Sequence, residues 1–251
     1  MVFDGEELLE FAIKSIRKNI DFISATYQSV SYFGNPADPN LKITLDRLKS
    51  EGLIDELIHY ETDLTKHHKW NELQLRNIGL EASRKAGCTH HISADVDEFY
   101  VPAQLEYVKS VMDKGNYNYS VVHQSTYYKD PRFLVYPDQK LLVSFIHPVS
   151  NEYDSNVPYP TFPFHMETTR RFRDYGNFKL FTKEEMDIHH MSYIRRDIRK
   201  KFSNSDNARF YKIEKFVKAF EEYQVGGRVC LLPDYINRKT KLVDNQFGIQ
   251  I

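Results

Sequence analysis

The sequence predicts an α/β protein in which a mostly parallel central sheet is flanked by helices and followed by a C-terminal helical extension. Amphipathic helical patterns alternate with short apolar strands through the first part of the chain, which is typical of a parallel sheet covered on both faces. The length of 251 residues and the hydrophobic content of 41% are those of a globular protein with one full core. We therefore assign residues 1–205 to one α/β domain and residues 206–251 to an extension packed on it.

The helices and strands of the first half are delimited by apolar periodicity and by glycine. The period-3.6 pattern and the glycines at positions 52 and 87 predict helices over 6–18, 41–51 and 70–86. Short apolar runs predict strands over 21–27, 54–60 and 88–92. A turn-rich loop over 29–40 separates the first strand from the second helix.

The pattern changes after the strand at 88–92. Pro102 opens a helix that extends to about residue 112. Aromatic and β-branched residues then predict mixed or antiparallel strands over 116–128 and 140–149. The remaining predictions are a surface loop over 151–163, a strand end or turn at 188–193, a basic helix over 195–201, and a helix over 208–222.

Three carboxylates follow the strand at 88–92 within four residues: Asp95, Asp97 and Glu98. Ligands bind at the carboxyl ends of strands in open α/β sheets, and residues two apart on an extended chain point to one side. Asp95 and Asp97 therefore suit a hard divalent cation such as Mg²⁺ or Mn²⁺ that also binds substrate phosphates. The alternative is a solvated acidic loop, because the Asp-x-Asp pattern alone is weak.

Charge and cysteine content exclude some classes of protein. A net charge of −1 argues against a general nucleic-acid-binding protein, which needs excess cations to neutralise phosphates. The two cysteines, Cys88 and Cys230, do not form a disulfide framework and favour a reducing, cytoplasmic compartment. No apolar run reaches the length of a membrane span, and the acidic N-terminus does not resemble a signal peptide. Peripheral membrane contact stays open.

The order of these motifs resembles that of the GT-A-fold glycosyltransferases, in particular family 2. The element Arg76-Asn77-x-Gly79 precedes Ala86-Gly87, the strand, and Asp95-Val96-Asp97-Glu98. The segment His190-Met191-Ser192-Tyr193 resembles the His-x-Ser-Tyr segment of the family 17-like N-acetylglucosaminyltransferase group. The resemblance covers residues 1–205, so it implies a Rossmann-like GT-A sheet.

The resemblance implies a metal-dependent transferase that moves a sugar from a UDP- or GDP-sugar to a glycan or lipid-linked acceptor, as in polysaccharide biosynthesis. Mn²⁺ or Mg²⁺ would be held by Asp95, Asp97 and His190. Donor contacts are expected from Asp95, Arg76, Lys66 and Lys201.

The catalytic base is less sharply defined by the sequence. An inverting transfer needs a carboxylate near the acceptor hydroxyl, and Asp187 and Glu167 lie between the acidic strand and His190. Glu152 and Asp154 are competitors, and a retaining mechanism would not need this base. Since only Met1-Val2-Phe3 precedes the first helix, the first strand is a stub or the chain is shortened, and Asp4 is the one residue there that stays a candidate for contact with the nucleotide base.

Two other functions compete with glycosyl transfer. A nucleotidyltransferase or sugar-nucleotide pyrophosphorylase also places acids at strand ends, but it usually carries a glycine-rich phosphate loop near the N-terminus, which this sequence lacks. A catalytically silent glycan-binding module would have less use for both Asp95 and Asp97.

Overall fold

The computed structural model describes residues 1–137, 141–156, 166–205, 212–231 and 238–251. In these residues the α-helices are α1 (Glu6–Ile16), α2 (Pro39–Ser50), α3 (His68–Lys85), α4 (Pro102–Lys114), α5 (Ile198–Ser203) and α6 (Ile213–Glu221). The strands are β1 (Ser24–Tyr27), β2 (Glu56–His59), β3 (His90–Ile92), β4 (Glu98–Phe99), β5 (Tyr119–Tyr128), β6 (Asp130–Tyr136), β7 (Leu141–Ser144), β8 (Ile146–Pro148), β9 (Phe178–Leu180), β10 (Asp187–Tyr193) and β11 (Lys239–Leu242). Two 3₁₀ helices cover Arg17–Asn19 and Thr168–Arg170.

Local side-chain chemistry explains where several helices begin. The Asp38 carboxylate accepts a hydrogen bond from the backbone N–H of Asn40, and Pro39 occupies the first helical position of α2. The His67 ring accepts from the N–H of Lys69 at the start of α3. Pro102 begins α4, as predicted. These caps fix helix starts within a few residues of the predicted ones.

The largest sheet, which contains most strands from β4 onward, is mixed. The prediction of a mostly parallel sheet is therefore wrong for the second half of the chain. Its strand order is β11-β6-β5-β10-β4, with β7 and β9 also paired to β5. Strand β5 is parallel to β10 and β9 and antiparallel to β6 and β7. A tight turn at Lys129, whose φ is 67°, joins β5 to β6, and connections this short allow only antiparallel pairing. Strands β1 and β2 pair in parallel, as the alternating pattern indicated.

The predicted strand over 140–149 is two strands that serve different sheets. Strand β7 pairs with β5, whereas β8 pairs antiparallel with β3. The change of partner occurs at Ser120, whose hydroxyl accepts from the N–H of Ile146 at 2.8 Å and donates to its carbonyl at 3.1 Å. A side chain thus takes the place of a strand partner where the chain crosses between sheets.

Other predicted elements differ from the structure mainly in length. The first strand is four residues long and begins at Ser24 rather than at residue 21, and a 3₁₀ helix at residues 17–19 follows α1. The basic helix predicted at 195–201 begins three residues later, as α5. Part of the predicted loop over 151–163 and the start of the predicted helix over 208–222 lie outside the described residues. In the C-terminal part, β11 joins β6 in the main sheet.

Buried apolar clusters hold the helices against the strands. Phe99 of β4 and Met191 of β10 pack with Leu8 and Ala12 of α1 and are almost fully buried. Leu80 of α3 packs in a second cluster with Tyr119, Tyr153, Met166 and Phe172. Cys88 and Cys230 are free thiols. No helix in the described part of the chain combines the length and apolar character that crossing a membrane requires.

Truncation of Leu80 tests the packing of α3. Leu80 has no exposed surface, so Leu80→Ala should lower the free energy of unfolding by about 2–5 kcal/mol through lost burial and a cavity. The matched control is Leu64→Ala, because Leu64 is 58% exposed and should change stability by at most about 0.5 kcal/mol. Urea denaturation of both variants measures the difference. Equal effects would show that α3 does not pack as described.

Candidate active site

The acidic segment connects two strands of different sheets. Strand β3 ends at Ile92, and the chain then runs through Asp95 and Asp97 into β4. Strand β4 pairs antiparallel with β10 so that Glu98 lies opposite His190. The N–H of Met191 also donates to the Asp97 carbonyl at 2.7 Å. Backbone pairing therefore brings the acids of residues 95–98 next to the His-x-Ser-Tyr segment, although about ninety residues separate them.

Three basic side chains surround Asp97. The Nη2 atom of Arg195 lies 2.7 Å from Oδ2, the Nζ atom of Lys201 lies 3.3 Å from Oδ2, and the Nε2 atom of His190 lies 3.5 Å from Oδ1. Burial alone would raise the pKa of Asp97, but Lys201, His190 and Arg195 outweigh it and hold this pKa well below its ordinary value. Asp97 is therefore ionised in a nearly buried position.

Arg195 is fixed from several sides. Its guanidinium donates to the carbonyls of Met191 and Ile194, both at 3.0 Å. Gly5 has a φ of 83°, and a Cβ atom there would lie 3.1 Å from this guanidinium and 3.2 Å from Val96. A side chain at position 5 is thus disfavoured by both conformation and contact. The start of α1 fits closely around the group that pairs with Asp97.

Arg170 bridges Asp95 and Glu98. Its Nη2 atom lies 2.7 Å from Oδ2 of Asp95 and 2.6 Å from Oε1 of Glu98. Glu98 also accepts from the N–H of Asp95 and from the Tyr100 hydroxyl, both at 3.1 Å. Burial raises the pKa of Asp95, but Arg170 and Arg76 outweigh it, so the pKa is lowered overall. The guanidinium allows the buried carboxylate of Glu98 and the partly exposed carboxylate of Asp95 to lie close together.

Arg76 extends the network into α3. Its guanidinium has no exposed surface and donates to Glu72 at 2.7 Å, Ser93 at 3.0 Å and Thr169 at 3.3 Å. It also lies 3.6 Å from Oδ1 of Asp95. Burial would raise the pKa of Glu72, yet Arg76 and Lys69 lower it to about 2. The helix turn from 72 to 76 therefore supplies a buried ion pair beside the acidic segment.

Glu167 differs from the other carboxylates because its pKa is raised. Burial and the neighbouring Glu72 raise it, and together they exceed the opposing effect of Lys69, Arg76 and Arg170. Glu167 pairs with the Lys69 ammonium and lies 3.6 Å from Arg76. Its side chain is 35% exposed, so it can reach a bound molecule. A carboxylate whose pKa is raised is a stronger proton acceptor than an ordinary one.

Two cavities share Asp95, Asp97 and Lys201 as lining residues. The smaller, about 190 Å³, is lined by residues 1–4 and by Gln28, Ser31, Tyr32, Phe33, Glu72, Val96 and Asn204. The larger, about 620 Å³, is lined by Lys69, Glu98, Gln124, residues 141–143, residues 166–168, Arg170, Arg171, His190 and Ser192. The acidic pair therefore stands at the junction of two compartments.

The donor set for a metal ion is small. Within the described ranges, no group of three or more His, Cys, Asp or Glu side chains is arranged to hold a metal. However, Oδ1 of Asp95 is buried and has no hydrogen bond. Two carboxylates with one such oxygen fit a cation that takes its other ligands from substrate phosphates and water, as Mg²⁺ does. They do not fit a cation enclosed by protein side chains alone.

The structure brings together Asp95, Asp97, His190, Arg76, Lys201 and Glu167 among the residues singled out in the sequence. Asp187 lies at the opposite end of β10, where it accepts from the Ser125 hydroxyl at 2.6 Å and does not line either cavity. Lys66 is exposed, and its ammonium lies 6.0 Å from the Trp70 ring centre. Neither residue contacts the acidic cluster.

Sequence reasoning did not single out three members of the cluster: Lys69, Glu72 and Arg170. Glu72 and Arg76 have the i, i+4 spacing of a helical ion pair, a signal that was present in the sequence. Lys69 lies on the same part of the helix and forms an i, i+3 ion pair with Glu72. The sequence around Arg170 is basic but gives no other sign of a role for this residue. Its partners, Asp95 and Glu98, are distant in the sequence.

Comparisons with known proteins give a distant likeness among solved structures. No protein-family model matches the chain, and no curated protein matches its sequence. Among solved structures, S. aureus TarS 1–349 is similar to this chain with a TM-score of 0.47 and 10% sequence identity. The similarity covers 82% of this chain and 64% of that one, so the chain spans less than two thirds of the TarS structure. A likeness of this degree defines neither a family nor an activity.

Substitution of Arg170 tests the charge network. Arg170→Gln leaves Asp95 and Glu98 without their shared cation, so the free energy of unfolding should fall by about 3–5 kcal/mol near pH 7. The matched control is Arg173→Gln, because the Arg173 side chain is 67% exposed and should contribute no more than about 1 kcal/mol. Denaturant unfolding of both variants measures the effect.

The same variant has a defined pH dependence. Because the folded-state pKa of Asp95 is lowered, this group contributes stability that is present above its unfolded pKa of about 3.9 and is lost as the pH falls through the folded value. Arg170→Gln raises the folded pKa. The stability difference from the parent protein should therefore narrow below about pH 4. A difference that widens at low pH would contradict this assignment.

Proposed function

We propose that this protein is a GT-A-type glycosyltransferase that moves a sugar from a nucleotide-sugar donor, such as a UDP- or GDP-sugar, to a hydroxyl of a glycan or lipid-linked acceptor. The observation that carries the proposal is the junction of two cavities at Asp95, Asp97 and Lys201. A transfer reaction needs two substrates whose reacting atoms meet at one place. The described cavities offer two compartments with charged groups between them.

The basic groups at the junction suit departure of a nucleoside diphosphate. As the sugar–phosphate bond breaks, negative charge grows on the leaving oxygen, and fixed cations stabilise it. Lys201 and Arg195 lie at Asp97, and Arg195 is held rigidly by backbone carbonyls. Cations that are already oriented need no reorganisation during the reaction.

Asp95 and Asp97 are the residues that would hold a divalent cation, with His190 next to them. When bound together with the diphosphate, such a cation supplies Lewis-acid stabilisation of the leaving group. The Oδ1 atom of Asp95, which is buried, has no hydrogen bond and lies 3.6 Å from Arg76, supports this assignment.

Glu167 is the proposed general base for the acceptor hydroxyl. It lines the larger cavity beside Lys69 and Arg170, and its raised pKa improves its ability to accept a proton. Asp187 is less suited to this role, because it lies away from both cavities and pairs with Ser125.

A thermal-shift panel tests the proposed donor class. UDP, GDP, CDP and ADP are each added with and without Mn²⁺. One diphosphate should raise Tm in the presence of Mn²⁺, because a ligand at a hundredfold excess over its Kd stabilises the native state by about 2.7 kcal/mol. For a chain of this size that corresponds to a shift of roughly 5–10 °C. If no diphosphate shifts Tm under either condition, the donor assignment fails.

Asp97→Asn tests whether the negative charge of residue 97 is needed at the junction of the two cavities, because Asn has nearly the same shape as Asp. The variant keeps an oxygen that can accept from Arg195 but removes the negative charge, so it should lose the Mn²⁺-dependent thermal shift. Release of nucleoside diphosphate from the donor in the presence of acceptor should fall by roughly 10²-fold or more. Asp46→Asn is the control, since Asp46 pairs only with solvent-exposed Lys42 on α2 among its described contacts. A folded Asp97→Asn protein with full release would refute the proposed role.

Glu167→Gln tests the base through the pH profile of kcat. In the parent protein, kcat should rise with pH as the raised pKa of Glu167 is passed, because only the ionised carboxylate accepts a proton. The variant should lose this ascending limb together with roughly 10²-fold or more in kcat. Glu51→Gln is the control, because Glu51 is exposed and pairs with Arg47 at the end of α2, away from the site. An unchanged ascending limb in Glu167→Gln would assign the base elsewhere.

A further inference from the structure

The two carboxylate oxygens of Asp95 lie in different surroundings. Oδ2 accepts a hydrogen bond from Nη2 of Arg170 at 2.7 Å, whereas Oδ1 is buried and has no hydrogen bond to any described residue. Buried polar atoms nearly always have a hydrogen-bond partner, so an exception calls for an explanation. Arg76 faces Oδ1, and its contacts therefore decide how this oxygen can be used.

The guanidinium of Arg76 comes close to Oδ1 without bonding to it. Its Nη1 atom lies 3.6 Å from Oδ1, which is beyond the usual length of an N–H···O hydrogen bond. The same Nη1 atom donates to the hydroxyl oxygen of Ser93 at 3.0 Å. A guanidinium bonds more strongly to a carboxylate than to a neutral hydroxyl, so Ser93 holds Nη1 against a stronger acceptor that lies slightly farther away.

The other two nitrogens of Arg76 are also occupied. Nη2 donates to Glu72 at 2.7 Å, and Nε donates to Thr169 at 3.3 Å. Because the guanidinium is planar and rigid, these two contacts and the one to Ser93 together define its position. The Thr169 contact is long and therefore weak. The Ser93 contact is thus needed to keep Nη1 from turning toward Asp95.

Ser93 is placed for this contact by the chain that leads into the acidic segment. It follows Ile92, the last residue of β3, and precedes Asp95 by two residues. Residues two apart on an extended chain point to the same side, and both side chains indeed face one nitrogen of Arg76. The same stretch of chain supplies the hydroxyl that binds Arg76 and the carboxylate oxygen that Arg76 leaves unbonded.

We propose that Ser93 is a positioning residue: its hydroxyl holds Arg76 away from Oδ1 of Asp95, so that this oxygen stays unbonded to the protein and can bind a ligand. The inference rests on the proposed function, in which that ligand is the divalent cation bound together with the donor diphosphate. Because Arg170 occupies Oδ2, Oδ1 is the oxygen through which Asp95 would reach the cation.

Removal of the hydroxyl should turn Arg76 onto Asp95. In Ser93→Ala, Nη1 loses its acceptor, and a buried donor without a partner is costly. The Arg76 side chain has no exposed surface, and Oδ1 at 3.6 Å is within reach of a small rotation. The expected state has Nη1 bonded to Oδ1 at about 2.8 Å, which closes this oxygen to a cation.

Crystal structures of the metal-free parent protein and of Ser93→Ala test the positioning role directly. The variant should show Nη1 of Arg76 within about 3.0 Å of Oδ1 of Asp95, whereas the parent should not. Ser93→Thr keeps the hydroxyl and should retain the parent arrangement. If Arg76 stays in place in Ser93→Ala, with or without a water where the hydroxyl was, the proposal is overturned. Ser93→Cys, whose thiol is a weak acceptor, should behave like the alanine variant and replaces it if that variant does not fold.

Binding of Mn²⁺ tests the consequence for the site. Titration of the metal-free proteins with Mn²⁺, followed by electron paramagnetic resonance, should show an affinity lower by roughly tenfold or more in Ser93→Ala, because residues that orient a metal ligand typically contribute this much. Ser93→Thr should recover most of the affinity. Ser50→Ala is the control, since Ser50 is exposed at the end of α2, and it should bind Mn²⁺ like the parent. Equal affinity in the parent and in Ser93→Ala would contradict the role of Ser93.

The two measurements separate this proposal from the proposed function. If Arg76 turns onto Asp95 in Ser93→Ala but the parent protein binds no Mn²⁺, the positioning role is correct and the cation assignment fails. If the parent binds Mn²⁺ and Arg76 does not move in Ser93→Ala, the cation assignment is retained and the role of Ser93 is wrong.

Discussion

The charge network around Arg170 and Arg76 is the constraint on which the centre of this structure depends. Asp95 and Glu98 repel each other unless a cation lies between them, and Arg170 contacts both at hydrogen-bond distance. Arg76 holds Asp95 from the other side and pairs with Glu72 on α3. Removing one member would leave an uncompensated charge in a poorly hydrated place, which costs more than a surface ion pair contributes. The network therefore fixes α3, the acidic segment and the 3₁₀ helix at 168–170 relative to one another.

The same network separates the carboxylates by chemistry. The pKa values of Asp95, Asp97 and Glu72 are lowered by neighbouring cations, whereas burial and Glu72 raise that of Glu167. Groups of one type with pKa values shifted in opposite directions are typical of sites that assign different roles to each. In the proposed reaction, Asp95 and Asp97 lie at the leaving diphosphate, and Glu167 accepts the proton of the acceptor hydroxyl.

Much of the first half of the fold could be predicted from local patterns. Helix α3, the strand before the acids and the proline start of α4 follow from period, capping and glycine, which act over a few residues. Pairing in the second half could not be predicted in this way. Strand β5 has parallel and antiparallel neighbours at once, and the change of partner at Ser120 depends on one buried hydroxyl. Such choices are made by contacts between distant parts of the chain.

The sequence by itself determined the acids at 95–98, the basic residues at 195–201 and the His-x-Ser-Tyr segment, because each is a short-range pattern. Only the tertiary structure decided which cations meet which acids. Arg170 reaches Asp95 across 75 residues and Lys201 reaches Asp97 across 104, while Asp187 and Lys66 point to other surroundings. Ion pairs over such separations depend on the packing that brings the elements together, and no local periodicity specifies that packing.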